Sequence, residues 1–377
     1  MVTEILRPTA AMVYVLPGQN IVRTAQLRTV APRRDAQMTA HIFAQLMDSS
    51  VLDATAVERF HALLQREGRD LPTMVRQGEQ TPLSWFREVF DDLDADHAAT
   101  MGYAAGEQAR LTSFTPLSLP LVSAANIHEA LRLLVFLPLI ANVLTARFID
   151  REHDVAIVLT ASSGDPTLDR FPVFYCAAAL MRLLRLLASE PLDLVIHIAW
   201  PQPAGFDQHP ECQAGRLRFD APLHHIVVPR TALLADCRFA DPIAYQTELA
   251  TLQGRMVKLG TTDDITERIR HLVDTQHSLI AIDDAARQLH MTVSTLKRRL
   301  SEANTSFRAL RESVLKDRAM LLLTGTSQPL ESIASALGYS DLANFSHAFK
   351  RWTGTAPGAF RKGLTAASVR CESSGMD

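Results

Sequence analysis

Near the end of the chain, apolar residues repeat at the spacing of two short helices separated by a glycine. In the first helix they lie three or four positions apart, which places them on one face. That face holds Ile333, Ala334 and Leu337. Gly338 follows where a helix ends in left-handed backbone, a conformation that glycine adopts without steric cost. The second helix is predicted at about Asp341–Trp352, and its apolar face holds Leu342, Phe345 and Phe349.

The remaining faces of this second helix are polar and basic. Asn344 and His347 present groups suited to base edges, and Lys350 and Arg351 present charges suited to phosphates. Ser340, just before the helix, completes the set predicted to contact DNA. A helix, a glycine turn and a second helix with a basic polar face are typical of a reader of the DNA major groove.

A weaker copy of the pattern lies upstream. Its first helix carries the apolar stripe Ile282, Ala285, Ala286 and Leu289. The turn that follows has no glycine, and a second helix is predicted at about Val293–Glu302. The residues of this helix predicted to contact DNA are Ser294, Thr295, Lys297 and Arg298. Arg298 and Lys297 are assigned to bases or nearby phosphates. Spaced apolar residues from Phe307 to Leu321 predict a long helix that joins the two units.

The first 260 residues mix helical and strand patterns without strict alternation, which favours an α+β domain around an antiparallel or mixed sheet. The predicted helices are Ala36–Asp48, Thr55–Glu67, Pro82–Leu93, Ala98–Gln108, Ile127–Leu137 and Pro172–Ala188. The predicted strands are Ser118–Val122, Asp154–Thr160, Leu192–Trp200, Arg216–Phe219 and His224–Val228. The fold class is therefore an α+β N-terminal sensing domain followed by an all-α C-terminal domain with two helix-turn-helix units joined by a linker helix.

Net charge is only −3 over 377 residues, which by itself does not indicate a nucleic-acid partner. The charge is unevenly placed, however. Residues 286–362 hold 12 Lys and Arg against 5 Asp and Glu, a local +7 that leaves about −10 for the rest of the chain. This asymmetry is typical of a basic DNA reader attached to a neutral-to-acidic domain.

Cysteine usage and hydropathy indicate a cytoplasmic protein. The four cysteines are widely spaced and form no CxxC pair, so reduced thiols are expected. The N-terminus shows no basic segment followed by an apolar stretch, and hence no predicted signal peptide. The most apolar run, Leu133–Leu144, is shorter than the roughly twenty residues of a membrane span and is predicted to be a buried helix.

With these residues in place, the region from about Thr262 to Lys362 resembles the DNA-binding domain of AraC/XylS transcription regulators. The matching residues are Arg318-Ala319, Leu321-Leu322, Ile333-Ala334, Leu337-Gly338-Tyr339, Phe345, Phe349-Lys350-Arg351, Gly354, Pro357 and Phe360-Arg361. The resemblance implies seven helices and two recognition helices that enter successive major grooves. His347 stands where the family usually has arginine, and Asn344 where an aromatic or small polar residue is frequent. No base preference therefore carries over from the family.

The first half of the chain resembles, more weakly, the arabinose-binding-like N-terminal domain of arginine/ornithine-type regulators. The supporting segments are Asn126–Arg132, Leu192–Trp200, Arg216–Pro222 and His224–Pro229. This resemblance implies effector sensing or dimerisation without naming the effector. The expected domains are 1–260 for effector binding and dimerisation, 261–365 for DNA binding and 366–377 as a flexible tail.

The partners expected from this organisation are double-stranded DNA, a small-molecule effector, a second copy of the chain and, if the protein activates, RNA polymerase. No membrane partner is expected. Polar groups near predicted strand ends are the candidates for effector binding, since ligand pockets are mostly apolar with a few convergent polar groups. These candidates are His128, Arg147, His197 and His224. The main rival is an effector-independent regulator whose N-terminal domain only dimerises or contacts a protein.

Other chemical readings of the sequence are weaker. Asp92-x-Asp94-x-Asp96 has the opening spacing of a calcium loop but lacks its glycine and closing glutamate, and His209 with Cys212 has no further ligands nearby. No metal and no cofactor are therefore predicted. No catalytic or nucleotide-binding constellation is apparent. A fusion to alkyl-transfer repair would need an activated cysteine, and Cys176 lies in an apolar helix where low reactivity is expected.

Overall fold

The computed structural model describes residues 36–258, 265–276 and 280–363. By their contacts, these residues divide into two compact units. The first holds residues 36–148 and 157–258, and the second holds the residues from 265 onwards together with the turn at 149–156. The predicted boundary between residues 260 and 261 and the predicted tail 366–377 lie outside the described residues.

The first unit surrounds one larger sheet with helices. Its helices are α1 (Ala40–Met47), α2 (Ala54–Arg66), α3 (Leu71–Gln77), α4 (Trp85–Val89), α5 (Ala95–Glu107), α6 (Ser118–Ser123), α7 (Ile127–Arg132), α8 (Arg170–Leu187), α9 (Pro210–Gln213), α10 (Arg230–Leu233) and α11 (Pro242–Lys258). Short 3₁₀ helices cover Leu111–Phe114, Leu133–Leu139 and Phe206–Gln208. No described helix of the chain is long and apolar enough to cross a membrane.

The strands form two sheets. They are β1 (Gln37–Thr39), β2 (Gln80–Pro82), β3 (Leu144–Asp150), β4 (Asp154–Ala161), β5 (Val195–His197), β6 (Leu217–Arg218) and β7 (His225–Pro229). β1 and β2 form an antiparallel pair, and the others form a sheet in the order β3-β4-β7-β5-β6. β5 pairs antiparallel with β7 and parallel with β6, so the larger sheet is mixed, as predicted.

α5 and α8 pack closely in the first unit, and two glycines of α5 make this possible. A Cβ atom placed on Gly102 would lie 2.5 Å from the backbone oxygen of Phe171. One placed on Gly106 would lie 2.6 Å from the backbone oxygen of Tyr175. These distances are shorter than any ordinary contact, so only glycine allows the two backbones to approach this closely.

Two sequence predictions for this unit are wrong. The segment predicted as a strand at Ser118–Val122 is helix α6, because Pro120 falls in the first turn, where proline is tolerated, and α6 packs against α11. The apolar run Leu133–Leu144 is not one helix. It is a 3₁₀ helix that contains Pro138 and ends at Leu139, followed by the start of β3.

The second unit is helical. Its helices are α12 (Ile265–Gln276), α13 (Ile282–Gln288), α14 (Val293–Glu302), α15 (Phe307–Gly325), α16 (Leu330–Ala336), α17 (Leu342–Thr353) and α18 (357–363). The described part of this unit thus contains the seven helices that the family resemblance implies. α15 packs against α12, α16 and α17, and α14 packs against α12 and α13. The linker helix thus packs directly on the second helix-turn-helix unit, and α12 packs on both the linker helix and α14 of the first unit. This all-α arrangement confirms the predicted fold class.

Candidate nucleic-acid interface and sensing site

The first helix-turn-helix unit consists of α13 and α14. His290 takes a left-handed conformation, with φ of 55°, in the turn that lacks a glycine. The hydroxyl of Thr292 then caps α14 by accepting the backbone N–H of Thr295 at 3.1 Å. Leu296 and Leu300 are buried on the inner face of α14. The inner face and the cap fix which side of this helix meets solvent.

The predicted DNA-contacting residues of α14 lie on its outer side. Ser294, Lys297 and Arg298 are exposed, and Thr295 is half-buried with its hydroxyl 2.9 Å from the hydroxyl of Thr292. Arg298 donates to Glu302 at 2.8 Å, one turn further along the same helix. This exposed ion pair contributes little to stability, so DNA can displace Glu302 from Arg298 at small cost.

The second unit, α16 and α17, has the predicted glycine turn. Gly338 has a φ of 83°, in the left-handed region. Asp341 caps α17 by accepting the backbone N–H of Asn344 at 2.7 Å, and this bond is the main reason why the pKa of Asp341 is lowered. Phe345 and Phe349 are fully buried. The helix begins and ends within one residue of the predicted bounds.

All five predicted DNA-contacting residues of the second unit are exposed: Ser340, Asn344, His347, Lys350 and Arg351. Their local bonds differ. The amide of Asn344 donates to the capping carboxylate of Asp341 at 2.7 Å. Within the described part of the chain, His347 and Lys350 make no side-chain hydrogen bond or ion pair. They are the groups of α17 that can meet a base or phosphate without first breaking a contact.

Glu312, which the sequence did not single out, joins the linker helix to α17. Its Oε1 lies 2.7 Å from a guanidinium nitrogen of Arg351 and 3.0 Å from one of Arg308. Burial raises the pKa of Glu312, but the two arginines outweigh it and the net pKa is lowered. Arg351, predicted as a phosphate contact, is thus held on α15 when no DNA is bound. Only the four-residue spacing of Arg308 and Glu312 signals part of this arrangement.

Two further arginines tie the helical unit together through backbone oxygens. Arg311 of the linker helix donates to the carbonyl of Ile280 at 3.2 Å. Arg361 of α18 donates to the carbonyl of Leu323, in the last turn of the linker helix, at 3.1 Å. Positively charged groups are stabilising at helix C-termini, where the carbonyls lack helical partners, and Arg361 makes such a contact on α15. Arg311 instead joins α15 to the backbone just before α13.

In the first unit, three of the four predicted effector-binding residues lie on three different elements, and the fourth, His224, lies just before β7. His128 is in α7, where burial first and then the charge of Arg132 lower its pKa. Arg147 is fully buried in β3, at the edge of the sheet. β4 and β7 lie between β3 and β5, so the backbone at Arg147 is about three strand spacings, roughly 14 Å, from the strand of His197.

The other two candidates, His197 and His224, point to opposite faces of the sheet. The ring of His197 stacks on that of His225, its partner in β7, with centroids 4.4 Å apart and planes at 7°. His224 is the next residue back, and successive side chains of a strand alternate between faces. Its Nδ1 accepts the backbone N–H of Ala199 at 3.0 Å, and its ring lies 4.0 Å from that of Trp200. The structure therefore does not gather the predicted set into one site.

A cation beside His224 was missed by the sequence reasoning. The guanidinium carbon of Arg170, the first residue of α8, lies 4.5 Å from the centre of the Trp200 ring. The two residues are thirty positions apart, so no local pattern could pair them. The metal candidates give no comparable cluster, because the described residues contain no group of three or more His, Cys, Asp or Glu side chains placed to hold a metal ion.

Burial also lowers the reactivity of the cysteine that an alkyl-transfer enzyme would need. Cys176 lies inside α8 and its pKa is raised to about 12 by burial, so its thiol is protonated at neutral pH and is a poor nucleophile. Asp94, from the rejected calcium pattern, caps α5 by accepting the backbone N–H of His97 at 2.7 Å. Both residues have structural roles.

Comparison with known proteins gives a family match for each of the two parts of the chain. Residues 59–236 match the family model described as the arabinose-binding domain of AraC transcription regulators, N-terminal, and residues 285–363 match a helix-turn-helix domain model. The order of the two matches is the one expected for a DNA-binding transcription regulator. The chain belongs to the AraC-type transcription regulators.

The chain is also similar to individual proteins. The chain is 26% identical to the ornithine utilization regulator of Pseudomonas aeruginosa over 273 residues, which is 70% of this chain and 78% of that protein. It is 33% identical to the transcriptional regulator VqsM of the same species over 32% of this chain and 38% of that protein. The crystal structure of the regulator CdpR from P. aeruginosa is 23% identical, covers 83% of this chain and 100% of its own, and has a TM-score of 0.38. The ornithine utilization regulator and VqsM are transcription regulators and not enzymes.

Proposed function

We propose that α14 and α17 enter two successive major grooves on one side of the DNA, about one helical turn or 10 bp apart, and that each subunit protects roughly 17–20 bp. One observation carries this proposal. Both helices bury an apolar face against the same helical unit and expose their polar and basic residues to solvent. The linker helix α15 packs on α16 and α17 and on α12, and α12 packs on α14, so the spacing of the two units is set by packing.

Hydroxyl-radical footprinting of the full chain on a site selected from random DNA tests this arrangement. Two protected stretches per subunit, about 10 bp apart on the same side of the duplex, are expected. Protection of a single groove by each subunit would contradict the proposal and leave α14 with a structural role. The variant Ser294→Ala with Arg298→Ala should remove protection in one stretch only, and Gln288→Ala, on exposed α13, is the matched control.

The N-terminal domain, we infer, binds a small-molecule effector and changes the affinity for DNA. The match to an arabinose-binding domain and the likeness to a regulator named for ornithine utilization support a metabolite, with amino acids as the first class to test. Coupling between effector and operator should amount to about 1–3 kcal/mol, or 5–150-fold in affinity. The full chain is titrated with L-ornithine and other amino acids while its DNA affinity and melting temperature are measured. If no metabolite changes either quantity, the effector-independent reading replaces this one.

Dimerisation is supported by an exposed apolar surface in the first unit. Its large exposed side chains are Leu119, Leu186, Leu234, Phe239 and Ile243, and the last is 81% exposed. The segments that carry Leu119, Leu186 and Phe239 are joined, since the backbone of residues 236–241 bonds to that of Ser123 and Ala125 and to that of Leu187 and Ser189. Exposed apolar side chains that cluster on a surface mark interaction sites. We propose that a second copy of the chain covers this surface.

Sedimentation of the full chain tests this surface. The wild type is expected to be a dimer, and Ile243→Glu should shift it towards monomer because it places a charge in the apolar contact. Gln65→Glu, at an exposed position of α2, adds an equal charge on a helix that carries none of the five side chains and should leave the dimer intact. A monomeric wild type, or equal dimerisation of both variants, would remove the claim.

We also propose that the protein activates transcription. In a reconstituted reaction with RNA polymerase and a promoter next to the selected site, the protein should raise transcript yield. A decrease in yield would make it a repressor without affecting the DNA-binding geometry.

A further inference from the structure

Arg170 presents an unpaired positive charge in the first unit. Its guanidinium carbon lies over the Trp200 ring, 4.5 Å from the ring centre, and both side chains are half-buried. Within the described residues Arg170 makes no side-chain hydrogen bond and no ion pair. Its N–H groups can therefore bind an oxyanion in two-pronged fashion while the cation keeps its contact with the indole.

Two further rings lie against the indole of Trp200. Trp200 stacks on the buried Phe174 with centroids 6.2 Å apart and planes at 10°. The centroid of the His224 ring lies 4.0 Å from that of Trp200. The Nδ1 atom of His224 accepts the N–H of Ala199, so in the neutral ring the proton sits on Nε2. His224 therefore offers one further N–H donor beside the same indole.

The charge around this cluster suits a ligand with a single negative charge. Burial first, and then the positive charge of Arg170, lower the pKa of His224 to about 4, so its ring is neutral at pH 7. Burial also lowers the pKa of Arg170, while the nearby carboxylate of Asp96 opposes that effect. The guanidinium carries one positive charge, which is enough to pair with one carboxylate but not with a dianion. A phosphate dianion would leave excess negative charge beside Asp96.

We propose that Arg170, Trp200 and His224 form the effector site of this domain and bind the carboxylate of a small organic acid. Arg170 supplies the ion pair, His224 supplies a neutral donor, and Trp200 holds the guanidinium in place through the cation–π contact. The inference rests on the proposed effector-sensing function and names the chemistry that the domain recognises. It replaces the set predicted from sequence, of which His224 alone remains.

Benzoate is a suitable probe, because it joins a carboxylate to a planar ring, and benzamide is its uncharged isostere. Binding to the full chain is followed by tryptophan fluorescence and by calorimetry. A molecule of this size should bind with a dissociation constant of about 10 mM or tighter. Benzamide and inorganic phosphate should bind at least about tenfold more weakly, because neither satisfies the guanidinium without a charge mismatch. Absence of saturable benzoate binding would overturn the proposal.

Variants at Arg170 test whether benzoate binds at the proposed site. Arg170→Gln should weaken benzoate binding about tenfold or more, and Arg170→Lys should recover only part of it, because an ammonium keeps the charge but not the planar fork. Arg255→Gln, which removes an exposed charge from α11, is the control and should bind like the wild type. Circular dichroism and DNA affinity verify that each variant is folded. Equal benzoate binding by Arg170→Gln and wild type would refute the site.

The outcomes separate this inference from the proposed function. If amino acids or other metabolites shift DNA affinity equally in wild type and Arg170→Gln, the domain senses an effector elsewhere and only the site is wrong. If no small molecule binds or shifts DNA affinity in either protein, the sensing function itself fails.

Discussion

Replacing Gly102 by alanine is the sharpest test of the N-terminal fold. The new Cβ atom would lie 2.5 Å from the carbonyl oxygen and 2.9 Å from the Cα atom of Phe171. Both atoms belong to the backbone of α8, so no side-chain rotation relieves the clash and α5 and α8 must move apart. Gly254 in α11 is the matched control, because a Cβ atom there meets nothing within 4 Å.

One contribution to the free energy of unfolding is common to both substitutions, and a second applies only to Gly102→Ala. Alanine in place of glycine within a helix gains about 1 kcal/mol of helix propensity at both positions. Only Gly102→Ala adds overpacking, which typically costs about 1–3 kcal/mol and occasionally more. The free energy of unfolding should therefore rise by about 1 kcal/mol in Gly254→Ala and fall by up to about 2 kcal/mol in Gly102→Ala. For a domain of this size, 1 kcal/mol corresponds to about 2–4 °C in melting temperature.

Urea unfolding of the full chain, followed by tryptophan fluorescence, measures the difference. Two of the three tryptophans, Trp85 and Trp200, lie in the first unit, so the signal mainly follows its unfolding. The slope of free energy against urea should be unchanged, since the surface exposed on unfolding stays the same. If Gly102→Ala were as stable as Gly254→Ala, the close approach of α5 and α8 would be refuted.

Four further outcomes are expected. Arg298→Ala should cost roughly 1–3 kcal/mol in DNA binding and relax preference at one base pair, if Arg298 pairs with guanine; fluorescence anisotropy on single-base variants of the selected site measures this. Lys350→Ala should weaken all sequences alike and reduce the salt slope by about one. Loss of affinity in both without a change in base preference would make Arg298 a phosphate contact too. Asp341→Ala should destabilise the helical unit by about 1 kcal/mol through loss of the α17 cap, and Asp341→Ser should retain most of it; equal unfolding midpoints for wild type and Asp341→Ala would contradict the cap. The pKa of His224 is about 4 in the folded chain against 6.5 when unfolded, so the unfolded state binds more protons between these values. Stability should therefore fall as pH drops from 6.5 to 4, and it should fall less in His224→Asn, as followed by melting temperature.

The DNA-binding half was readable from sequence because its structure is built from local signals. Residues three and four positions apart share a helix face, so the stripes that predict α14 and α17 need no knowledge of the rest of the chain. Gly338 adopts left-handed backbone as expected, and α14 begins and ends at the predicted residues. The exposure of Lys297, His347 and Lys350 follows from the same periodicity, since the face opposite a buried stripe meets solvent.

The sheet of the N-terminal half was less readable, because tertiary contacts override weak local preferences there. Ser118–Val122 resembles a strand in composition yet is helical, since α6 packs on α11, more than a hundred residues further along. β3 was missed because it carries the buried polar residues Thr145 and Arg147, which break the apolar pattern that marks an interior strand.

Only the tertiary structure decided which residues far apart in the sequence contact each other. Arg170 and Trp200 meet because α8 and the end of the β5 segment converge, and Arg351 meets Glu312 because α17 packs on α15. The sequence determined the two helices with exposed polar and basic faces and the class of regulator, since both follow from spacing within a few turns. The contact of Arg170 with Trp200 and the ion pair of Arg351 with Glu312 depend on packing between elements. No periodicity along the chain records contacts between elements thirty or more residues apart.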